Sequence, residues 1–259
     1  MKFWIYIAIL TVLGAGCTKD VATNENLFVV EGTLFEGSNV RTISVLEYLQ
    51  EASDNSAFAP SDRAEVWLNW NNTRWDFVLS EDGEYVNDDP MLQIFPDQTY
   101  QLVVVQGEDT ATAQTIVPPA INYTPQNAGT IAVDTLSASS IVLQIEWNSV
   151  DGYLMVLGLE ELDIGDEIPF TAVTGGLFDF SFSNPIANDQ ANIFDNDFLH
   201  VGAHRINLYR ISSQADSIYT FVPDPLSTNV FDIEDNVIGG AGFFNSVATG
   251  SVLVNIEVE

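Results

Sequence analysis

The chain has 259 residues, with 37 Asp plus Glu against 7 Lys plus Arg, a formal charge of -30 and one cysteine. So acidic a surface repels phosphate, which excludes nucleic acid as a partner and disfavours anionic lipid headgroups. Apolar residues make up 46% of the sequence, enough for a packed core, and a lone cysteine excludes a fold held together by internal disulfides.

In chain order, Met1-Lys2 is followed by an apolar run from Phe3 to Leu13 and then by the small residues Gly14-Ala15-Gly16 ahead of Cys17. A short positive start, an apolar stretch too short to span a bilayer comfortably and small residues before a processing point predict a signal peptide over residues 1–16. Ala15-Gly16-Cys17 resembles the lipobox of bacterial lipoproteins, although Gly14 stands where Leu is usual. That resemblance implies a diacylglycerol on Cys17 and anchorage in a membrane, since acyl chains partition at roughly 0.8 kcal/mol per buried methylene. Residues 17–26 then read as the lipidated cysteine and a polar tether. Lys19-Asp20 resembles the charged signal that carries Bacteroidota lipoproteins to the cell surface, which implies the outer membrane, outer face.

From Leu27 the apolar residues come in brief runs of β-branched and aromatic types bounded by Gly, Asn, Asp and Pro, a strand pattern. Strands are expected at Phe28 to Leu34, Arg41 to Leu46, Glu65 to Trp70, Trp75 to Leu79, Thr99 to Gln106 and Ala111 to Val117. Within Ala64 to Trp70 the alternate residues Ala64, Val66, Leu68 and Trp70 share one face. Asn71 to Arg74 reads as a hairpin turn. Pairing symmetric about Asn72 and Thr73 would set Trp70 opposite Trp75, as a packing contact if covered and a ligand-stacking platform if exposed. Pro118-Pro119 marks the junction, dividing an N-terminal β-sandwich over 27–119 from a C-terminal β-domain over 120–259.

The second region opens with Ser140 to Trp147, a polar turn from Asn148 to Gly152, and Tyr153 to Leu157. This resembles the B and C strands of fibronectin type III modules, which implies a core role for Trp147. The expected architecture is therefore all-β, two immunoglobulin- or fibronectin III-like sandwich regions in tandem. Strand runs thin out around 160–204, which predicts a long loop insertion with one short helix at Ile186 to Phe194. Strands are expected again at Arg205 to Ile211 and at Ser251 to Val258. Gly239, Gly240 and Gly242 suit a tight bend before that last strand, with Phe243 and Phe244 pointing to opposite faces.

Catalytic motifs are missing from the sequence: it has no G-x-S-x-G, no P-loop and no G-x-G-x-x-G, and acylation would remove the one thiol. The expectation is a protein that is not an enzyme. His200 and His204 are four apart but lack the glutamate of H-E-x-x-H between them. Asp195 and Asp197, or Asp163 and Asp166, offer hard oxygens at spacings that suit calcium, without the EF-hand pattern.

One set of landmarks runs through the chain in order: Leu27 to Gly32, Ala64 to Leu68, Gly83-Glu84-Tyr85, Gln98 to Leu102, Thr115 to Pro118, and Gly239 to Phe244. Their order and spacing resemble the DUF4249 family of Bacteroidota lipoproteins. That resemblance implies an accessory of an outer-membrane TonB-dependent β-barrel transporter. A free-standing lipoprotein that binds a glycan, a peptide or calcium is the alternative.

Overall fold

The computed structural model describes residues 28–38, 41–49, 57–133, 140–163, 165–168, 178–179, 182–213 and 236–258; Cys17 and the predicted signal segment lie outside them. The first region contributes β1 (Phe28–Phe35), β2 (Arg41–Leu49), β3 (Ala57–Pro60), β4 (Glu65–Trp70), β5 (Thr73–Asp76), β6 (Val78–Leu79), β7 (Tyr85–Asn87), β8 (Thr99–Gln106) and β9 (Asp109–Ile116). There follow β10 (Tyr123–Gln126), β11 (Thr130–Val133), β12 (Ile141–Trp147), β13 (Tyr153–Glu161), β14 (Phe178–Asp179) and β15 (Phe182–Ser183). The chain continues through β16 (Gln190–Phe194), a 3-10 turn at Asp195–Asp197, β17 (Gly202–Ser212), β18 (Val237–Ile238) and β19 (Ala241–Val258).

The protein is all-β, and two sandwiches share one long sheet. Its strand order is β14-β15-β13-β17-β19-β1-β2-β7-β6, with β11 also on β19 and β3 on β2. A second sheet, β18-β9-β8-β4-β5, and a third, β10-β12-β16, complete the sandwiches. Alternation decides which side chains are enclosed. Val30 and Leu34 of β1, Ile43 and Val45 of β2 and Phe244 of β19 join Val66, Leu68, Leu102 and Val104 in the first core. Leu143, Ile145 and Trp147 of β12 meet Met155, Leu157, Ile206, Leu208, Val252 and Val254 in the second. Strands β12 and β13 therefore lie in opposite sheets, as the B and C strands of a fibronectin III-like module do. Trp147 has the core role expected of it, and its indole N–H donates to Asn188 O at 3.0 Å.

Strand β19 corrects the division at Pro118-Pro119. Its first half pairs in parallel with β1 from Val29↔Ala241 to Phe35↔Val247. Its second half pairs antiparallel with β17 from Arg210↔Ala248 to Gly202↔Ile256. Val237 of β18 and Phe244 of β19 fill the first core, so the end of the chain completes the N-terminal sandwich. A proline pair stops a strand but carries no information about which sheet a strand over a hundred residues later will join.

Two local expectations are also corrected. Ile186 to Phe194 is not a helix: Ile186 bridges Met155, and Gln190–Phe194 pairs with β12 as the last strand of the third sheet, burying Ala191 and Ile193 alternately. The last strand begins at Ala241, ten residues before Ser251. Gly242 is what allows that start, because its φ is +109° and a Cβ there would sit 2.1 Å from Val30 O. Phe243 and Phe244 take opposite faces as expected, with Phe244 wholly enclosed and Phe243 half-buried on the other side.

Candidate functional site

The outer face of the long sheet, opposite the first core, carries the side chains that alternate with the core positions. On β1 these are Glu31, Thr33 and Phe35; on β2, Thr42 and Ser44; on β19, Phe243. Register sets them in rows. Phe243 pairs with Glu31 and Glu31 with Ser44, while Ile43 pairs with Tyr85 and so brings Glu84 beside Ser44. Phe243, Glu31, Ser44 and Glu84 thus form one row across four neighbouring chain segments. Thr33 and Thr42 lie in the next row, and Phe35 closes the groove four residues along β1 from Glu31. Together with Gly32 these residues line an open groove of about 440 Å³. Among the described residues none of Glu31, Thr33, Thr42, Ser44 and Glu84 has a side-chain hydrogen bond, so two carboxylates and three hydroxyls face solvent unengaged.

Beyond Phe35 the same face becomes apolar. Phe35 meets Tyr209 edge-on at 6.3 Å, and Tyr209 meets Phe182 at 6.4 Å, over Val156, Ile211 and Val247. Gly158 makes room for the last pair, since a Cβ there would lie 3.0 Å from Phe182 and 3.1 Å from Tyr209. Burial pushes the Tyr209 phenol up, and nearby Glu160 adds to this while Arg205 opposes it.

The tryptophan platform does not form as expected. Asn71 and Asn72, with φ of 51° and 60°, make a two-residue turn of the kind that matches hairpin twist. The register is therefore Trp70↔Thr73 and Leu68↔Trp75, one residue off the symmetry that would have opposed the two indoles. Both rings pack against the first core. Trp70 stacks on Tyr100 with centroids 5.6 Å apart and tilts against Phe95 at 5.7 Å. The ring presented on the other face is Trp67, with the Arg74 guanidinium 3.9 Å above it.

Asp163, Asp166, Asp195 and Asp197 do not assemble into a calcium site. Asp195 and Asp197 are buried in the 3-10 turn, where Asp195 Oδ1 accepts from the Asn196 N–H and Asp197 Oδ2 from the Phe194 N–H, both at 2.8 Å. Asp163 and Asp166 are exposed on a segment whose backbone bonds to Val201 and Ala203. Among the described residues no three His, Cys, Asp or Glu side chains are grouped to hold a metal ion. Spacing along the chain suggested proximity, but local backbone capping had already claimed two of the carboxylates.

The two histidines do converge, on Glu161. His200 Nδ1 lies 2.9 Å from Glu161 Oε1 and His204 Nε2 3.7 Å from the same oxygen. His204 is wholly buried and its Nδ1 is 3.0 Å from Gly202 O. A carbonyl only accepts, so that nitrogen carries the proton. Sequence spacing missed Glu161 because it comes from the adjacent strand, paired with His204 across β13 and β17.

No family model matches the chain, and no curated protein matches it either. Among solved structures, a Ca2+-stabilized adhesin with which an Antarctic bacterium binds ice is 13% identical, covering 89% of this chain and 49% of its own, at a TM-score of 0.25. A protocadherin gammaB7 EC3-6 structure is 11% identical, over 91% of this chain and 51% of its own, at 0.24. A Salmonella alpha-2-macroglobulin variant is 10% identical, over 90% and 15%, also at 0.25. The chain spans about half the length of the first two and far less of the third. At such overlaps none of them bears on what the groove holds.

Proposed function

We propose that this protein is a lipid-anchored, surface-exposed lipoprotein of the bacterial outer membrane that binds without catalysis, as an accessory subunit of a TonB-dependent transporter. The observation that carries the binding role is the outer-face groove. It sets unengaged carboxylates and hydroxyls beside two phenyl rings on the sheet that both sandwiches share, which is how binding sites combine apolar walls with a few placed polar groups. Cys17 after an apolar leader supports the anchor, and the six landmarks resembling DUF4249 lipoproteins support the transporter partnership.

Gentle solubilisation of native membranes and affinity purification through a C-terminal tag tests the partnership. Recovery of a TonB-dependent barrel in near-equal amount is expected; recovery of the protein alone favours a free-standing binding lipoprotein. The anchor has its own test. Cys17→Ala is expected to move the protein from the membrane pellet to the soluble fraction, and continued sedimentation with membranes would overturn it.

A further inference from the structure

We infer that the outer-face groove takes a neutral oligosaccharide and rejects anionic ones; this rests on the binding role proposed above and names its ligand class. Each wall of the groove has a counterpart in sugar chemistry. The carboxylates of Glu31 and Glu84 flank Ser44 in one row, two strand spacings apart or roughly 10 Å. A carboxylate accepts only, with room for two donors, and so suits adjacent sugar hydroxyls. Thr33, Thr42 and Ser44 both donate and accept, as sugar hydroxyls require in return.

Phe243 and Phe35 line the groove with phenyl rings, the kind of group on which the C–H face of a pyranose packs. They stand four residues apart along neighbouring strands, roughly 13 Å at strand rise, which is a span of more than one sugar ring. A phenyl ring has no hydrogen-bonding group, so the polar selectivity falls to the carboxylates and hydroxyls beside the rings.

Charge fixes the class further. Among the described residues no Lys or Arg lines the groove, and two of its eight lining residues are glutamates. Among the described residues the cations are committed elsewhere: Arg63 pairs with Glu47, Arg74 with Asp76, Arg205 with Glu160, and Arg41 and Arg210 are buried on backbone carbonyls. A uronate, sulfate or phosphate group in the groove would therefore meet like charge without a counter-ion, on a chain of net charge -30.

The test is a titration of the full-length, detergent-solubilised protein followed by NMR and calorimetry. Xylotriose, maltotriose, mannotriose and cellotriose serve as neutral probes and trigalacturonate as the anionic one. At least one neutral trisaccharide is expected to bind saturably with shifts at β1, β2 and the start of β19, while trigalacturonate does not. Phe243→Ala should weaken that binding by about tenfold or more, the equivalent of one ring contact. Glu31→Gln should weaken neutral binding and narrow the gap to trigalacturonate, and because it keeps side-chain size it guards against a folding defect in the phenylalanine variant. The inference is overturned if no neutral probe binds, if trigalacturonate binds as tightly, or if both folded variants bind as the parent does. Hydrolysis of a bound probe would instead overturn the non-catalytic role. Co-purification of a barrel by a chain that binds no saccharide would leave the accessory role standing and remove only the ligand assigned here.

Discussion

Each sandwich closes one end with a buried arginine that serves backbone carbonyls, yet the two do different work. Arg41 of β2 donates to Asp89 O at 3.2 Å and to Leu92 O, all within the first region. Arg210 of β17 donates to Pro119 O at 2.8 Å, to Ala120 O at 2.9 Å, and to both the carbonyl and side-chain oxygens of Asn148. Burial pushes both guanidinium groups down from their ordinary value, with nearby Tyr100 and Asp89 opposing this at Arg41 and Tyr153, Asp97 and Glu36 at Arg210. The first arginine fixes a loop, whereas the second fixes the connection between the sandwiches. The first region compensates with phenols: Tyr85 OH donates to Ser61 O and accepts from Ala64 N–H, and Tyr100 OH does the same between Gln93 O and Phe95 N–H. Local closure in one half and closure of the junction in the other make the two sandwiches one body, joined through β19.

The harshest way to break that unity is within the shared strand. Phe244 is wholly buried in the first core, and Phe244→Ala should cost about 3–5 kcal/mol. If the sandwiches unfold together, tryptophan fluorescence and hydrogen exchange of β17 amides will report the same lowered stability. Loss confined to the first region, with β17 protection intact, would show two independent units.

The arginines come next in size. Arg210→Met strands several carbonyls at once and should cost on the order of 3 kcal/mol, with loss of a single sharp melting transition. Arg41→Met should cost about 2 kcal/mol and keep the transition sharp, because its loop lies within one sandwich. Equal effects on stability and cooperativity would remove the distinction between loop post and junction clamp.

Much of this organisation was legible in the sequence where contacts are local. Glu65–Trp70 and Thr99–Gln106 were readable to the residue from alternation and flanking turns, and the opposite faces of Phe243 and Phe244 followed from the strand period. What failed was non-local. The completion of the first sandwich by β19 depends on a pairing between Val29 and Ala241, and no periodicity records a partner. The groove was hidden for the same reason, since Glu31, Ser44, Glu84 and Phe243 become neighbours only through three separate strand registers. The tryptophan pair failed by one residue, because Asn-Asn takes the tight turn alone and leaves Thr73 to pair.

A smaller effect concerns acid stability and sharpens the contrast from the first region. Burial alone would raise the Glu47 carboxyl, but hydrogen bonds from Ser61 and Arg63 outweigh it and hold the group below its ordinary value. A depressed folded value means that the stabilisation is fully present above the ordinary glutamate value of about 4.3 and is lost as pH falls through the folded one. Thermal melts of Glu47→Gln against the parent should therefore differ at neutral pH and converge in acid. Parallel curves across that range would mean that the contact contributes nothing.

The smallest expected effect is at Trp75, whose indole Nε1 is buried without a hydrogen-bond partner among the described residues. Trp75→Phe exchanges two terms of opposite sign. Loss of ring volume against the first core destabilises, while removal of an unsatisfied donor returns about 1–3 kcal/mol of desolvation cost. The two nearly cancel, so urea unfolding should place the variant within about 1 kcal/mol of the parent. Trp70→Phe lacks the second term, because the Trp70 N–H is not among the buried unsatisfied atoms, and it also loses stacking on Tyr100. It should therefore be the more costly of the pair. A Trp75→Phe variant as damaged as Trp70→Phe would mean that the Trp75 N–H has an acceptor in solution, and that the hairpin is tied to a neighbour as firmly through its second strand as through its first.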